Sequence, residues 1–239
     1  MSIRSVLRKA PEPVKRIARP IRNRFRGKYD AELSFWRTRS FYENGHFKND
    51  HYERMMLAMA EETTGDFLKG KVVADFGSGP RGSLVWARSA AMRIGIDVLA
   101  DQYADAFTED IVSHGMVYLK STEKVIPLPS GFVDVMFSLN AMDHVNSFPV
   151  MCNEVLRVLK PGGLFIGSFN LEEPASTTEP QRLTEAIIDR NLLSRLEIQS
   201  RRVTEKGPAD DVYAPFFKGN LSYRQGQEGF LWVKARKPS

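Results

Sequence analysis

The sequence contains a single cysteine, Cys152, so no disulfide can form within the 239-residue chain. The histidines are few and scattered, and none has metal-ligand spacing to another histidine or to Cys152: His46, His51, His114 and His144. No apolar run approaches the roughly 18 to 20 residues that cross a bilayer, and the basic N-terminus does not continue into a secretory leader. These absences lead us to expect a cytoplasmic protein without a bound metal ion.

Acidic residues are nearly missing from residues 1–28, which hold ten Lys or Arg and one acid, Glu12, and so carry +9. The whole chain carries +5, which leaves −4 for residues 29–239. Because this body has no basic stripe that would neutralise phosphates, we expect no nucleic-acid partner. The extension has apolar residues at three- and four-residue spacing, interrupted by prolines. It is compatible with peripheral contact with an anionic membrane, with a solvated tail, and with packing on the body or on a second copy in a homodimer.

From Lys71 onward, short apolar runs alternate with helical patterns. The pattern predicts five strands, over residues 72–76, 93–97, 116–119, 134–138 and 164–169. It also predicts helices over residues 30–43, 50–62, 83–91, 99–111, 151–159 and 183–193. Repeated β-α units imply a parallel sheet with helices on both faces. Two further strands, 196–203 and 229–235, are joined without a crossover helix and are expected to be antiparallel neighbours.

A glycine-rich loop follows the first of these strands. Residues 72–83 read VVADFGSGPRGS, in which Gly77, Gly79 and Gly82 fit the pattern G-x-G-x-x-G. The pattern requires a sharp turn after a strand and backbone that a ligand can approach closely. Dinucleotide sites and other nucleoside sites both meet this requirement, so the motif alone does not identify the ligand.

Two aspartates at strand ends narrow the choice. Asp75 lies two residues before the first glycine, where a carboxylate would repel the pyrophosphate of a dinucleotide. A ligand that carries an ammonium and a sulfonium would not be repelled by this carboxylate. Asp97 ends the second strand, 22 residues after Asp75, where a carboxylate can accept hydrogen bonds from both hydroxyls of a ribose.

Four segments occur in a fixed order: DFGSGPRG, GID, IPLPSGFVDVMFSLNAMDHV and EVLRVLKPGGLFIGSFN. Together they resemble the class I S-adenosylmethionine-dependent methyltransferases, specifically the type 11 or UbiE-like domain, over about residues 70–170. The resemblance implies a three-layer, Rossmann-like α/β fold with a mostly parallel seven-stranded sheet and an antiparallel last strand. We expect the extension (1–28) to precede a single domain (29–239) with a helical cap over 29–69, the cofactor core, and C-terminal strands and substrate loops over 171–239.

The resemblance further implies that S-adenosylmethionine is the cofactor and S-adenosylhomocysteine its product. Asp75 and the backbone at Gly77 and Gly79 would hold the methionine end, and Asp97 would bind the ribose diol. Arg81 would either reach the methionine carboxylate or face water. The other predicted cofactor contacts flank the fourth strand; they are the adenine candidates Thr122 and Glu123, with a backbone amide as the alternative, and Asn140.

A methyl group on a positively charged sulfur is already electrophilic, so such a protein mainly aligns the methyl acceptor and excludes water. A hydroxyl acceptor would need a base, and His144 and Asp143 are the catalytic candidates. A purely structural hydrogen bond is the alternative role of His144. We expect methyl transfer to a small molecule, with a hydroxyl of a saccharide or glycolipid precursor as the candidate. The rival functions are a catalytically silent cofactor-binding scaffold and a NAD-dependent oxidoreductase.

Overall fold

A computed structural model describes residues 27–38, 42–43, 46–209 and 211–239. The predicted contacts of the basic extension therefore lie outside the described residues, apart from its last two positions. The described N-terminal part consists of α1 (Lys28–Thr38), the short antiparallel pair β1 (Tyr42–Glu43) and β2 (His46–Phe47), and α2 (Asp50–Ala60). No helix in the described part of the chain is long and apolar enough to cross a membrane.

A seven-stranded sheet forms the centre of the fold. Its strands are β3 (Val72–Phe76), β4 (Met92–Asp97), β5 (Val117–Lys120), β6 (Val133–Leu139), β7 (Leu159–Leu171), β8 (Glu197–Glu205) and β9 (Gly229–Arg236). The spatial order is β5-β4-β3-β6-β7-β9-β8. The first five pair in parallel, whereas β9 is antiparallel to both of its neighbours, β7 and β8. The predicted mostly parallel sheet with an antiparallel last strand is confirmed.

Helices cover both faces of this sheet, which explains why its central strands β3, β4 and β6 are so apolar. Successive side chains of a strand point to opposite faces. In β3, Val73 packs with Met56 and Met59 of α2, whereas Ala74 and Phe76 pack with the helix on the other face. That helix is α5 (Phe148–Val158), and the remaining helices are α3 (Ala100–Ala106), α4 (Thr108–Ser113), α6 (Glu185–Asn191) and α7 (Ala214–Phe217).

Three helix predictions were wrong in detail. Residues 83–91 form successive turns instead of a helix, because side chains occupy carbonyls that a helix would use: the Trp86 indole binds Ser83 O at 3.0 Å and the Arg93 guanidinium binds Val85 O at 3.0 Å. The helix predicted over 30–43 ends at Thr38, and residues 42–43 are extended. The repeat over 99–111 forms two helices, α3 and α4, that meet at Phe107.

The parallel strands bring several predicted site residues to one edge of the sheet. The carboxyl ends of β3, β4 and β6 lie side by side, and Asp75, Asp97 and Leu139 are at or next to these ends. Loops that leave adjacent parallel strands at this edge form a crevice. Helix α1 contributes to the opposite wall of that crevice through Trp36, which approaches the loop after β3.

Candidate functional site

A cavity of about 430 Å³ lies at the carboxyl ends of β3, β4 and β6. Its volume falls in the range of small-molecule and cofactor sites, which runs from about 300 to 1,000 Å³. Its walls come from α1, the glycine loop, the ends of β4 and β6, the loop that contains Thr178 and Glu179, and Tyr213. Chain segments distant in sequence therefore meet around one cavity.

Gly77 shapes the floor of the cavity. Its φ of 77° lies in the left-handed region, and its N–H donates to Ile96 O at 2.8 Å. A Cβ at this position would lie 2.1 Å from the Cβ of Ala141, so the loop after β6 packs against bare backbone. Only glycine allows both the turn and this close approach.

The other two glycines of the motif make different contacts. A Cβ on Gly79 would lie 2.9 Å from the Trp36 ring of α1, so this glycine lets α1 close over the loop. A Cβ on Gly82 would lie 2.6 Å from the His114 ring, and Gly82 does not line the cavity. Gly82 is therefore required for internal packing. Gly77 lines the cavity, and Gly79, which does not, leaves room for the lining residue Trp36.

Asp75 presents an unsatisfied oxygen at the cavity. Its side chain is 3% exposed, and the Ser83 hydroxyl donates to Oδ2 at 2.5 Å. Its buried Oδ1 has no hydrogen-bond partner among the described residues. Burial, reinforced by the charge of Asp97 and opposed by Ser83, raises the pKa of Asp75 to about 7. A buried carboxylate oxygen without a donor fits the ammonium group of a ligand.

Asp97 holds the glycine loop and also lines the cavity. Its Oδ1 accepts the Leu99 N–H at 2.9 Å, and its Oδ2 accepts the Gly79 N–H at 3.0 Å. Burial raises the pKa of Asp97 to about 6, although both backbone donors oppose that shift. Because a carboxylate oxygen accepts more than one hydrogen bond, each oxygen retains capacity for a ribose hydroxyl.

The two adenine candidates line the cavity, but both already bind protein donors. Thr122 Oγ1 accepts the backbone N–H groups of Val125 at 2.9 Å and Lys124 at 3.2 Å, which closes the turn after β5. The hydroxyl thus stabilises its own loop. The contact of Thr122 or Glu123 with adenine stays a prediction, and a backbone amide in this turn remains the alternative.

Glu123 connects α1 to the loop after β6. Its Oε1 accepts from Lys28 Nζ at 2.7 Å and from Tyr29 Oη at 2.6 Å, and its Oε2 accepts the Asn146 N–H at 2.8 Å. Burial alone would raise the pKa of Glu123, but these donors lower it below its usual value. The side chain therefore fixes the helix that covers the cavity, a role that the sequence pattern did not indicate.

Asn140 links the end of β6 to the C-terminal segment. Its φ of 45° is in the left-handed region, which asparagine tolerates better than most residues. Its Nδ2 donates to Tyr213 Oη at 2.8 Å, and its Oδ1 accepts from Ser168 Oγ at 2.9 Å. Asn140 lines the cavity as predicted for a cofactor contact, and it also positions Tyr213 in the wall.

Arg81 points away from the predicted position. Its guanidinium donates to the carbonyl of Lys48 and lies 5.7 Å from the centroid of the Tyr52 ring. It is 9% exposed and is absent from the described cavity lining. Burial lowers the pKa of Arg81, with Tyr52 and Asp50 opposing. Of the two alternatives, facing water is wrong, and the contact with a methionine carboxylate gains no support from this geometry.

His144 lies at the end of the cavity among acidic groups. Its Nε2 is 3.6 Å from Glu179 Oε1, and its Nδ1 is 4.0 Å from Glu32 Oε2. All three residues line the cavity. Burial raises the pKa of Glu179, with His144 opposing that shift. Neither glutamate was identified from the sequence, because α1 and a Pro-, Ser- and Thr-rich loop carry them without any recognisable spacing.

Asp143 lies behind His144, outside the described lining of the cavity. It is 2% exposed, and its Oδ2 accepts from Asn170 Nδ2 at 2.6 Å. Burial raises the pKa of Asp143. His144, Asn170 and the backbone N–H of Asp143 itself lower this pKa, but by less than burial raises it. The two predicted catalytic residues therefore differ in access, since only His144 meets the cavity directly.

Comparisons with known proteins find similarity to methyltransferases. The profile of the family described as "Methyltransferase domain" matches residues 74–167. An uncharacterized methyltransferase of Mycobacteroides abscessus is 31% identical over 114 residues, a match that covers 46% of this chain and 44% of that relative. The match thus spans less than half the length of the curated relative.

Solved structures share the fold at low sequence identity. An S-adenosylmethionine-dependent methyltransferase from Mesorhizobium loti is 19% identical with a TM-score of 0.56, over 80% of this chain and 100% of that chain. The 4+2 cyclase SpnF is 20% identical with a TM-score of 0.56, over 78% of this chain and 81% of that chain. Proteins of different chemistry therefore share this architecture.

Proposed function

We propose that the chain is a class I S-adenosylmethionine-dependent methyltransferase, whose methyltransferase domain includes residues 74–167, and that it methylates a small molecule in the described cavity. The observation that carries the proposal is made at Asp75, which lines the cavity and whose buried Oδ1 has no donor among the described residues. An ammonium group would satisfy that oxygen, whereas a pyrophosphate would be repelled by it.

Two aspartates offer partners for the ammonium and the ribose of the cofactor. We place its ammonium at Asp75, its sulfur near the bare backbone of Gly77, and its ribose diol at Asp97. These positions follow the carboxyl ends of β3 and β4. When bound, the cofactor supplies a methyl group on a positively charged sulfur. The residues of the chain orient the methyl acceptor against this methyl group and exclude water. Helix α1 covers the glycine loop through Trp36.

We assign activation of the methyl acceptor to His144, with Asp143 behind it. A hydroxyl is a poor nucleophile until its proton leaves, so a polar group must lie beside it. His144 is the predicted catalytic residue that lines the cavity. Its neighbours Glu32 and Glu179 can accept hydrogen bonds from further hydroxyls.

The finer proposal is that the methyl acceptor is a saccharide or glycolipid precursor. The same cavity has several aromatic side chains that can pack against the apolar face of a sugar ring: Phe35, Trp36, Tyr52, Tyr103 and Tyr213. Aromatic faces beside carboxylates are a combination that suits polyhydroxylated ligands. The proposal concerns the class of methyl acceptor and leaves the acceptor hydroxyl unassigned.

A catalytically silent scaffold is the second candidate, since the similar fold of SpnF belongs to a protein named for a cyclisation. A NAD-dependent oxidoreductase conflicts with the buried carboxylate at Asp75.

Calorimetry tests the cofactor assignment: S-adenosylhomocysteine should bind and NADH should not. Preferential NADH binding would contradict it.

The same titration should depend on pH because of Asp75. The carboxyl must be ionised to pair with an ammonium, and in the free protein its pKa is about 7. Ligand binding favours the ionised form, so affinity should be constant well above pH 7 and decrease below it. Between pH 8 and pH 6 the ionised fraction decreases about tenfold, and the association constant should decrease by a similar factor. Asp75→Asn should bind weakly and keep only the smaller, about twofold decrease caused by protonation of Asp97, whose pKa is about 6. A flat profile in the native protein would refute the pairing.

We further propose that the basic residues 1–28 hold the protein at an anionic membrane surface, near a lipid-linked acceptor. The support is their charge of +9, carried by a chain whose remainder is negative. Full-length protein should cosediment with anionic but not neutral vesicles, and the binding should weaken with salt. A truncation that removes residues 1–26 retains the Lys28–Glu123 contact and should not bind vesicles. If the intact chain ignores anionic vesicles while truncation halves its mass in solution, the segment pairs two copies instead.

A further inference from the structure

Three metal-ligating side chains meet at the wall of the cavity in which we place the methyl acceptor, and two of them line it. One carboxylate oxygen of Asp143, one ring nitrogen of His144 and one carboxylate oxygen of Glu179 lie within 4.8 Å of one another. Metal bonds to such atoms are about 2.0 to 2.2 Å long, so small side-chain rotations would bring all three onto one ion. Because His144 and Glu179 line the cavity, an ion between them would face its contents.

The buried carboxylate of Asp143 is unsatisfied on one side. Asp143 is 2% exposed, and its Oδ1 has no hydrogen-bond partner on any other described residue. Lys206, whose positive charge acts on Asp143, is ion-paired with Glu173 and with Glu228. Burial of a carboxylate oxygen without a donor is costly, and a cation is a group that would satisfy it.

We infer that Asp143, His144 and Glu179 bind one divalent metal ion of the series from Mn²⁺ to Zn²⁺. One imidazole and two carboxylates suit this series, whereas Mg²⁺ and Ca²⁺ favour oxygen ligands. Three protein ligands leave coordination positions open, as in catalytic metal sites. The inference rests on the proposed function, because it uses the cavity as the site of the methyl acceptor. The expectation of no metal considered only histidine and cysteine spacing, and Glu179 is 35 residues from His144 in the sequence.

The ion would activate the hydroxyl of the methyl acceptor. A metal-bound oxygen loses its proton more readily, and we assign that proton to Glu32, which lines the cavity with its Oε2 4.0 Å from His144 Nδ1. The new oxygen–carbon bond forms as the sulfur–carbon bond breaks, and the sulfur keeps the electron pair as a neutral thioether. The His144 ring then acts as a ligand that positions the ion.

The test is a titration of full-length, chelator-treated protein with Mn²⁺, without cofactor or methyl acceptor, followed by EPR spectroscopy and calorimetry. We expect one saturable site from which Zn²⁺ displaces Mn²⁺. Asp143→Asn and Glu179→Gln should each weaken Mn²⁺ binding by about tenfold or more. The matched control is Asp101→Asn, whose exposed carboxylate pairs with Lys120 at 2.6 Å and should leave Mn²⁺ affinity unchanged. Thermal unfolding of each variant checks that it is folded.

Absence of saturable Mn²⁺ binding, or binding that both ligand variants leave unchanged, overturns the inference. Methyl transfer, measured separately, tests the proposed function. Methyl transfer that persists in EDTA, in a protein without a Mn²⁺ site, would eliminate the ion and leave the proposed function intact. A Mn²⁺ site that both variants weaken, in a protein that transfers no methyl group, would support the site and contradict the proposed function.

Discussion

Asp97→Ala should weaken binding of S-adenosylhomocysteine by about 2 to 4 kcal/mol, which corresponds to about 30- to 1,000-fold in the dissociation constant. Two effects combine in this loss. The substitution removes the carboxylate proposed to accept both ribose hydroxyls, and water compensates only partly. It also removes the acceptor of the Gly79 N–H at 3.0 Å, which helps to hold the glycine loop in its binding conformation.

Calorimetry at a pH well above 7 measures this effect with Asp97 ionised. Asp101→Ala is the matched control, because that aspartate is exposed and does not line the cavity. Thermal unfolding separates lost affinity from lost folding, since Asp97 also accepts the Leu99 N–H. A folded Asp97→Ala protein that binds S-adenosylhomocysteine with native affinity would contradict the ribose assignment.

His144→Ala should lower turnover by about 10²-fold or more while the affinity for S-adenosylhomocysteine changes little. The reason lies in its contacts: His144 lies between Glu32 and Glu179, whereas the backbone N–H groups of Leu99 and Gly79 hold Asp97 and the glycine loop. Loss of the ring removes the group that activates the acceptor hydroxyl, whether directly or through a metal ion. Cofactor contacts remain in place.

The control for this variant is His46→Ala, which removes an exposed imidazole that lies 3.4 Å from Asp110 and does not line the cavity. Single-turnover kinetics and thermal unfolding are measured on both proteins. Native turnover with native stability in His144→Ala would exclude a catalytic role. Reduced stability with native turnover would show that the residue only fixes its loop.

The centre of the sheet could be predicted from the sequence because β3, β4 and β6 are short apolar runs whose side chains are mostly buried. Val73, Val135 and Phe137 pack on the α2 face, whereas Ala74 and Met136 pack on the α5 face. Turns were harder. Residues 83–91 contain helix-forming residues, but hydrogen bonds from an indole and a guanidinium hold them in turns, and such contacts depend on the tertiary fold.

The site could be predicted where its residues end a strand or follow one closely, as Asp75, Asp97 and Asn140 do. Asp75 and Asp97 were identified because parallel strands place their carboxyl ends together. Glu32 and Glu179 were missed, since nothing local marks a residue that approaches His144 from a distant segment. Arg81 was placed by motif alone, and its buried side chain turned toward Lys48 instead.

The central claim is methyl transfer in the described cavity, and one measurement tests it most directly. Native protein is incubated with S-adenosylmethionine labelled in its transferable methyl group and with an extract of saccharides and glycolipid precursors, and the products are analysed by mass spectrometry. We predict label in a small molecule, S-adenosylhomocysteine released in equal amount, and almost no label with His144→Ala. A native protein that binds the cofactor but transfers no label to any extract component would contradict the account and favour the silent scaffold.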